Sequence, residues 1–452
     1  MGKLFGTDGI RGIANETLDC RLAYRTGLSA ALCLRDSCGR KPVVVIGKDT
    51  RISSDLLECA VTAGLCAGGA DVIQLGVIST PAVAYLTVLN TADAGVVISA
   101  SHNPYQYNGI KMFSAEGFKL SDALEDEIER RILAEGELPV ETGGGIGQVL
   151  DGRHCSEPYI RHLTSSVRTE ITDLRVLFDC ANGAASKTAR RIFSRYNIDA
   201  AYINDQPNGV NVNAGCGSTH LEMLSERVVS GCYDLGLAFD GDADRCLAVD
   251  ERGREVDGDR IMAICASSLR EQGKLKNNGF VATVMSNLGL RKYAEREGME
   301  LLCAPVGDRN VRELMQEKGM ALGGEQSGHI IFLDRMPTGD GQLTALEFLQ
   351  IACRAGTSVS RLAATVPQYP QVLRNVAAPA ANERKKAVLD HPAVRAAVEA
   401  GEAELNGDGR VLVRASGTEA LIRVMVEAGT QEQAEKIAAK IAESVENAQN
   451  QI

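Results

Sequence analysis

Gly95-Val96-Val97-Ile98-Ser99-Ala100-Ser101-His102-Asn103-Pro104 is a β-branched apolar run that breaks into a polar turn. It reads as a strand delivering its last residues to a loop. Upstream, Pro42-Val43-Val44-Val45-Ile46-Gly47 has the same character, and Ser53 to Gly69 between them carries a helical pattern. The plan returns twice. Arg175-Val176-Leu177-Phe178-Asp179 precedes Leu235-Gly236-Leu237-Ala238-Phe239, and Phe280-Val281-Ala282-Thr283-Val284 precedes Met320-Ala321-Leu322-Gly323. This alternation predicts α/β units with parallel strands, repeated in architecture with little residue identity. In such sheets ligands bind beyond the carboxyl ends of strands, so the polar loops that close the three second runs are where chemistry is expected.

At 452 residues the chain exceeds one ordinary core and implies several domains of roughly 100 to 150 residues each. Turn formers at Gly143–Gly147, Glu251-Arg252-Gly253 and Pro367–Pro370 suggest four: 1–152, 153–252, 253–368 and 369–452. The expected fold class is α/β, with three similar α/β/α layered domains and a C-terminal α+β domain. That last domain should end in a helix: Thr430 and Gln433 form a capping-box pattern, followed by Ala434, Ile437, Ala438, Ile441 and Val445 on one face.

Composition narrows the partners. A net charge of −11 works against nonspecific binding to nucleic acid or anionic membrane, and the absence of Trp leaves no stacking platform for bases. No stretch is apolar enough for a bilayer, the N-terminus lacks a secretory core, and Gly6 stands where a myristoylation signal wants Ser or Thr. A cytoplasmic protein is expected. The 13 cysteines, odd in number and without a C-x-x-C pair, read mostly as reduced, buried small hydrophobes.

The loop from Ser99 to Pro104, continuing to Asn108-Gly109-Ile110-Lys111, puts a hydroxyl beside an imidazole and an amine. An ordinary turn has the same composition. A Ser-His hydrolase is disfavoured, because the G-x-S-x-G elbow is missing and neighbours on a strand point opposite ways. A serine that accepts and returns a phosphoryl group needs a metal and cations nearby. Asp240-Gly241-Asp242-Ala243-Asp244-Arg245 supplies carboxylates at every second position, a density of hard oxygen donors suited to magnesium or calcium. Without a cation they would repel one another. The EF-hand alternative fails, since Arg245 occupies its required glycine and Cys246 to Asp250 reads as a strand.

Two further loops complete the inventory. Gly323-Gly324-Glu325-Gln326-Ser327-Gly328-His329 lets backbone approach a ligand while Glu325 and Ser327 bond sugar hydroxyls. Arg414-Ala415-Ser416-Gly417-Thr418-Glu419, with Arg423, offers guanidiniums, hydroxyls and glycine-flanked amides for a phosphate.

Taken in order, these loops and the N-terminal Gly6-Thr7-Asp8-Gly9-Ile10-Arg11-Gly12 resemble the α-D-phosphohexomutase family over essentially the whole chain. The resemblance implies that Ser101 is a phosphoserine and that Asp240, Asp242 and Asp244 hold Mg2+ together with an oxygen at Ser101. It further implies that Arg245 sits against the phosphoserine, that Lys111 and His102 assist proton transfer, that Arg11 lines the site, and that His329 contributes there. Glu325-Gln326-Ser327 and Val306-Gly307-Asp308-Arg309-Asn310 are most similar to members acting on amino sugars. The implied reaction interconverts glucosamine 6-phosphate and glucosamine 1-phosphate through a sugar bisphosphate, for cell-wall precursors. Glucosamine or glucose 1,6-bisphosphate would be the activator, and a homodimer is expected. A glucose or mannose phosphate substrate, or a non-catalytic sugar-phosphate sensor, are the alternatives. The chain departs from the family pattern at Ala243, where glycine is frequent, and at Ala420, where proline is frequent.

Overall fold

In the computed structural model, which describes residues 4–6, 8–167, 170–379, 381–416 and 420–449, each pair of apolar runs forms adjacent parallel strands. Val43–Lys48 lies beside Ala94–Ile98, Thr172–Asp179 beside Leu235–Phe239, and Gly279–Thr283 beside Leu322–Gly324. The helix Ser54–Ala67 follows the first strand. Continuous burial of Ala94–Ile98, Leu235–Phe239 and Gly279–Thr283 explains their unbroken apolar character.

The sheets are mixed rather than purely parallel. Each second run turns back into an antiparallel partner: Tyr107–Ser114, Cys246–Asp250 and Ile330–Phe332 respectively. A hairpin needs only a short connection, and the polar loops are those connections, so the loops expected to carry chemistry are antiparallel turns. The first sheet runs Phe5–Gly6, Gly9–Ile13, Tyr107–Ser114, Ala94–Ile98, Val43–Lys48, Asp71–Val77, Val149–Asp151. The second runs Glu255–Val256, Cys246–Asp250, Leu235–Phe239, Thr172–Asp179, Asn197–Ile203, so the turn at Glu251–Gly253 lies within it. The third runs Glu300–Ala304, Gly279–Thr283, Leu322–Gly324, Ile330–Phe332.

Residues 1–285 and 299–365 form one compact unit, which carries these three sheets. A second unit comprises 286–298 and 366–452. There the antiparallel strands Gln371–Ala377, Leu421–Ala428 and Gly409–Ala415 pack against the helix Gln431–Gln449, whose Ala434, Ile437, Ala438, Ile441 and Val445 are buried as their spacing predicts. The Thr430 hydroxyl accepts the Gln433 N–H at 3.3 Å. The helix Leu288–Glu297 belongs to this unit: its Leu288 N–H donates to the buried carboxylate of Glu427 at 3.1 Å. The fold is therefore α/β, with three mixed sheets in the first unit and an antiparallel sheet in the second, one sheet for each of the four expected domains.

All 13 cysteines are free thiols, but only Cys33, Cys180, Cys216, Cys246 and Cys265 are fully buried, while Cys20, Cys59 and Cys232 are exposed. Among the described residues no helix is long and apolar enough to cross a membrane.

Candidate active site

Ser101 follows the strand Ala94–Ile98 in a turn, buried and at φ +52°, a left-handed conformation uncommon for a residue with a Cβ. Its hydroxyl donates to Asp240 Oδ2 at 2.6 Å, across 139 residues of chain. The strand has already ended at Ile98, so the rule that neighbours point to opposite faces does not apply. His102 Nδ1 comes within 3.4 Å of Ser101 Oγ. His102 is held neutral: burial, with Arg245 and Arg11 adding to it, pulls its pKa down to about 4.

The acidic loop reaches Ser101 because Gly241 has no side chain; a Cβ there would meet Ser101 O at 2.5 Å. Ala243 takes φ +56°, which explains in backbone terms why glycine suits that position. Buried oxygens of Asp240, Asp242 and Asp244 lie within 4.8 Å of one another. Burial, then Asp244 and Asp242, push the Asp240 carboxyl well above its ordinary range. Burial opposes charge on Asp244 too, yet Lys111, His329 and Arg245 outweigh it and hold that carboxyl low. Asp242 Oδ2 accepts from Lys111 Nζ at 2.8 Å and from the Thr80 hydroxyl at 2.6 Å. Among the described residues, however, Asp242 Oδ1 and Asp244 Oδ1 are buried with no hydrogen-bond partner. Unpaired buried carboxylate oxygens in a cluster of three are the donor set a hard divalent cation requires, so these residues fit one.

Cations surround the triad. Lys111 lies 3.8 Å from Asp244 and 3.2 Å from Asp8, and these carboxylates with Asp242 raise its pKa against burial. Arg11 pairs with Asp8, and Arg245 Nε stands 3.9 Å from Asp244 Oδ1. Lys119 bridges Asp8 at 2.6 Å and Asp308 at 2.7 Å. His329 places Nδ1 3.7 Å from Asp244 and Nε2 3.9 Å from Asp308. Burial disfavours charge on this ring, but Asp244, Asp308 and Glu325 outweigh it and raise its pKa to about 9. The Gly339 N–H, 3.2 Å from Nε2, works the other way and favours a neutral ring protonated at Nδ1.

Glu325, Gln326 and Ser327 form the turn between Leu322–Gly324 and Ile330–Phe332, which docks on the strand after the acidic loop through Cys246 N–H to Gly328 O at 3.0 Å. Glu325 Oε1 accepts the Gly307 N–H at 3.1 Å, and its Oε2 accepts the Ser327 hydroxyl at 3.4 Å. The Gln326 side chain donates to Asp257 Oδ2 at 3.3 Å, on the cap of the helix Gly258–Glu271. In the second unit, Arg414 and Arg423 are direct cross-strand partners, and burial together with Arg423 lowers the Arg414 pKa. Such a like-charge pair is costly unless an anion shares it. Ser416 is buried, with its carbonyl accepting Lys385 Nζ at 2.8 Å; Gly417 and Thr418 lie outside the described residues.

Sequence reasoning missed Thr80, Asn213, Lys119 and the Asp49–Arg51 pair, and it quoted Asp308 within a motif without giving it a role. Asn213 Nδ2 donates to Ser101 O at 2.8 Å from a loop of the second sheet's domain. Asp49 and Arg51 had a usable signal, because they directly follow the strand Val43–Lys48 at its carboxyl end. Thr80, Asn213 and Lys119 had none: an isolated Thr, Asn or Lys is unremarkable in composition.

Three mixed sheets that deliver a serine, an acidic triad and a glycine-rich turn to one cluster define a class of phosphosugar enzymes, and the chain belongs to the phosphoglucomutase/phosphomannomutase family. Its α/β/α domains I, II and III match residues 2–138, 157–253 and 257–369, and its C-terminal domain matches 375–444. The chain is thus a mutase, an enzyme of the isomerase class. Within the family it is 49% identical, over the whole of both chains, to phosphoglucosamine mutase of Thermoanaerobacter pseudethanolicus. In fold it resembles a phosphoglucomutase/phosphomannomutase family protein of Burkholderia thailandensis, with a TM-score of 0.82 at 24% identity over 99% of this chain and 98% of that one. It also resembles Aspergillus fumigatus N-acetylphosphoglucosamine mutase in complex with GlcNAc-6P and magnesium, with a TM-score of 0.73 at 19% identity over 99% and 96%.

Proposed function

We propose that this mutase interconverts glucosamine 6-phosphate and glucosamine 1-phosphate by passing a phosphoryl group through Ser101. The observation that carries the reading is the buried Ser101 hydroxyl 2.6 Å from a carboxylate of the acidic triad. Phosphorylated Ser101 gives its group to the free hydroxyl of the sugar monophosphate. The Ser101 O–P bond breaks as the sugar O–P bond forms, and the sugar hydroxyl proton passes through the surrounding acid–base groups to the departing Ser101 oxygen. The resulting bisphosphate turns over and returns its other phosphoryl to Ser101, so one monophosphate enters and its isomer leaves. Either 1,6-bisphosphate named above would prime the serine.

Asp240, Asp242, Asp244 and an oxygen at Ser101 would hold Mg2+, which when bound supplies positive charge to the phosphoryl oxygens. Arg245 and Arg11 add charge beside the serine, Lys111 and His102 assist proton transfer, and His329 orients Asp244. Glu325 and Ser327 would bond sugar hydroxyls. Arg414, Ser416, Gly417, Thr418 and Arg423 of the C-terminal domain would hold phosphate. The expected setting is the cytoplasm, as a homodimer supplying cell-wall precursors, with domain limits near 152, 252 and 368.

The substrate assignment draws on the full-length likeness to phosphoglucosamine mutases. A glucose or mannose phosphate is the alternative substrate: Gln326 Nε2 donates to Asp257 Oδ2, a bond that orients the amide without using its acceptor oxygen. Turnover of the three 6-phosphates, each primed with its bisphosphate, separates the readings. Glucosamine 6-phosphate should have the highest kcat/KM by about tenfold or more. Glucose or mannose winning would overturn the substrate. Intact mass should show one phosphoryl group, lost in Ser101→Ala together with turnover; an active Ser101→Ala would overturn the carrier.

A further inference from the structure

The strand Val43–Lys48 ends in Asp49-Thr50-Arg51, and both charged side chains are completely buried, with Arg51 Nε donating to Asp49 Oδ2 at 2.7 Å. An ion pair taken wholly out of water is a poor source of stability, because desolvation offsets the attraction. Its remaining hydrogen bonds converge on one place. Arg51 Nη2 donates to Ser101 O at 2.8 Å, and Nη1 donates to Pro104 O at 2.6 Å and Tyr107 O at 3.0 Å. Asp49 Oδ2 accepts the Ser99 hydroxyl at 2.7 Å, and Ser99 Oγ accepts the Ser101 N–H at 3.0 Å. Asp49 Oδ1 accepts the Arg51 N–H at 3.0 Å and the Ser54 hydroxyl at 2.9 Å, which fixes the carboxylate itself.

Both backbone polar groups of Ser101 are therefore tied to this pair, the carbonyl directly and the amide through Ser99. Ser101 is also the residue held at φ +52°. Such a backbone persists only where its surroundings over-determine it. We infer that Asp49 and Arg51 are positioning residues that lock the Ser101 turn in its left-handed conformation, keeping Oγ aimed at the Asp240–Asp244 loop as the serine gains and loses a phosphoryl group. The inference rests on Ser101 being the carrier. A planar guanidinium suits the task because it presents donors in a fixed fork, whereas an ammonium is a point charge that cannot span three carbonyls and a carboxylate.

The test is single-turnover transfer from phosphorylated enzyme to sugar monophosphate, normalised to the fraction of molecules carrying phosphoserine. Arg51→Lys keeps a cation beside Asp49 but loses the fork. Its transfer rate constant should fall about 10- to 100-fold while KM stays within about threefold. Ser99→Ala removes only the relay to the Ser101 amide and should slow transfer about threefold or more with the fold intact. If Arg51→Lys does not fold, Ser99→Ala decides alone, and an unchanged rate there overturns the inference. Variants that melt earlier but transfer at the wild-type rate per phosphorylated molecule assign the pair a structural role only, and also overturn it. Wild-type enzyme that never carries phosphoryl on Ser101 overturns the carrier reading and this inference with it. Normal wild-type phosphorylation with unaltered variants overturns this inference alone.

Discussion

Asp240 lies 2.6 Å from the Ser101 hydroxyl with two further carboxylates beside it, and burial and those neighbours together resist its ionisation. Replacing a carboxyl that resists ionisation by a neutral amide costs little when no cation is bound and forfeits affinity when one is. Asp240→Asn in chelator should therefore melt no lower than wild type. In saturating magnesium the wild type should gain about 3–4 kcal/mol, as expected at roughly 100 to 1,000 times Kd, and the variant less than half of that. Its turnover should fall about 100-fold or more. Melting curves with and without the ion, alongside steady-state rates, check both arms; an equal magnesium gain in the variant would remove Asp240 from the ligand set.

The helix Gly341–Ala355 shows how an element far along the chain supports the same loop. The Gly341 N–H donates to Ala243 O at 3.0 Å, and a Cβ at Gly341 would meet Arg245 O at 2.2 Å, so backbone packs on backbone. Asp340 caps this helix, accepting Gln342 N–H at 2.9 Å and Leu343 N–H at 3.0 Å, and its Oδ2 takes the Tyr159 hydroxyl at 2.8 Å. Burial outweighs those bonds and raises the Asp340 carboxyl from 3.8 to about 6. An acid whose folded value is raised binds more protons folded than unfolded across that window. Stability is therefore lost as pH rises from about 4 to about 6 and is flat above, by an amount on the order of 1–3 kcal/mol. Asp340→Asn keeps the cap oxygen but cannot ionise, so denaturation followed from pH 4 to 7 should lose this component of the slope. An unchanged slope would assign it to other groups.

Across the whole molecule, the C-terminal unit recruits residues 286–298 from within the chain's third α/β stretch. Glu427, fully buried, organises that recruitment: it accepts Leu288 N–H at 3.1 Å and Arg410 Nε at 3.0 Å, while Arg410 Nη2 reaches Ser286 O at 2.8 Å. Glu427→Ala removes the carboxylate that joins Leu288 to Arg410 and should destabilise this unit by about 2–4 kcal/mol. Because a chain of several domains need not unfold in one step, calorimetry should resolve an earlier transition, with proteolytic cleavage near 286–298 appearing first. A single transition at the wild-type midpoint would contradict this role for Glu427.

The sequence by itself determined the three pairs of apolar runs, the polar loops that close the second of each pair, and the close spacing of Asp240, Asp242 and Asp244, since each is written in spacings of a few residues that backbone geometry reads directly. It also placed Ser101 at the end of a strand. Only the tertiary structure decided that each second run turns back into an antiparallel strand, that Ser101 meets Asp240 across 139 residues, and that His102 approaches Ser101 Oγ. It alone turned Gln326 toward Asp257 and brought Asp49, Arg51 and Asn213 to the Ser101 turn. The physical reason is range. Periodicity and turn chemistry act between near neighbours, whereas a hydrogen bond between two loops depends on how separate strands pack, and no local pattern encodes that.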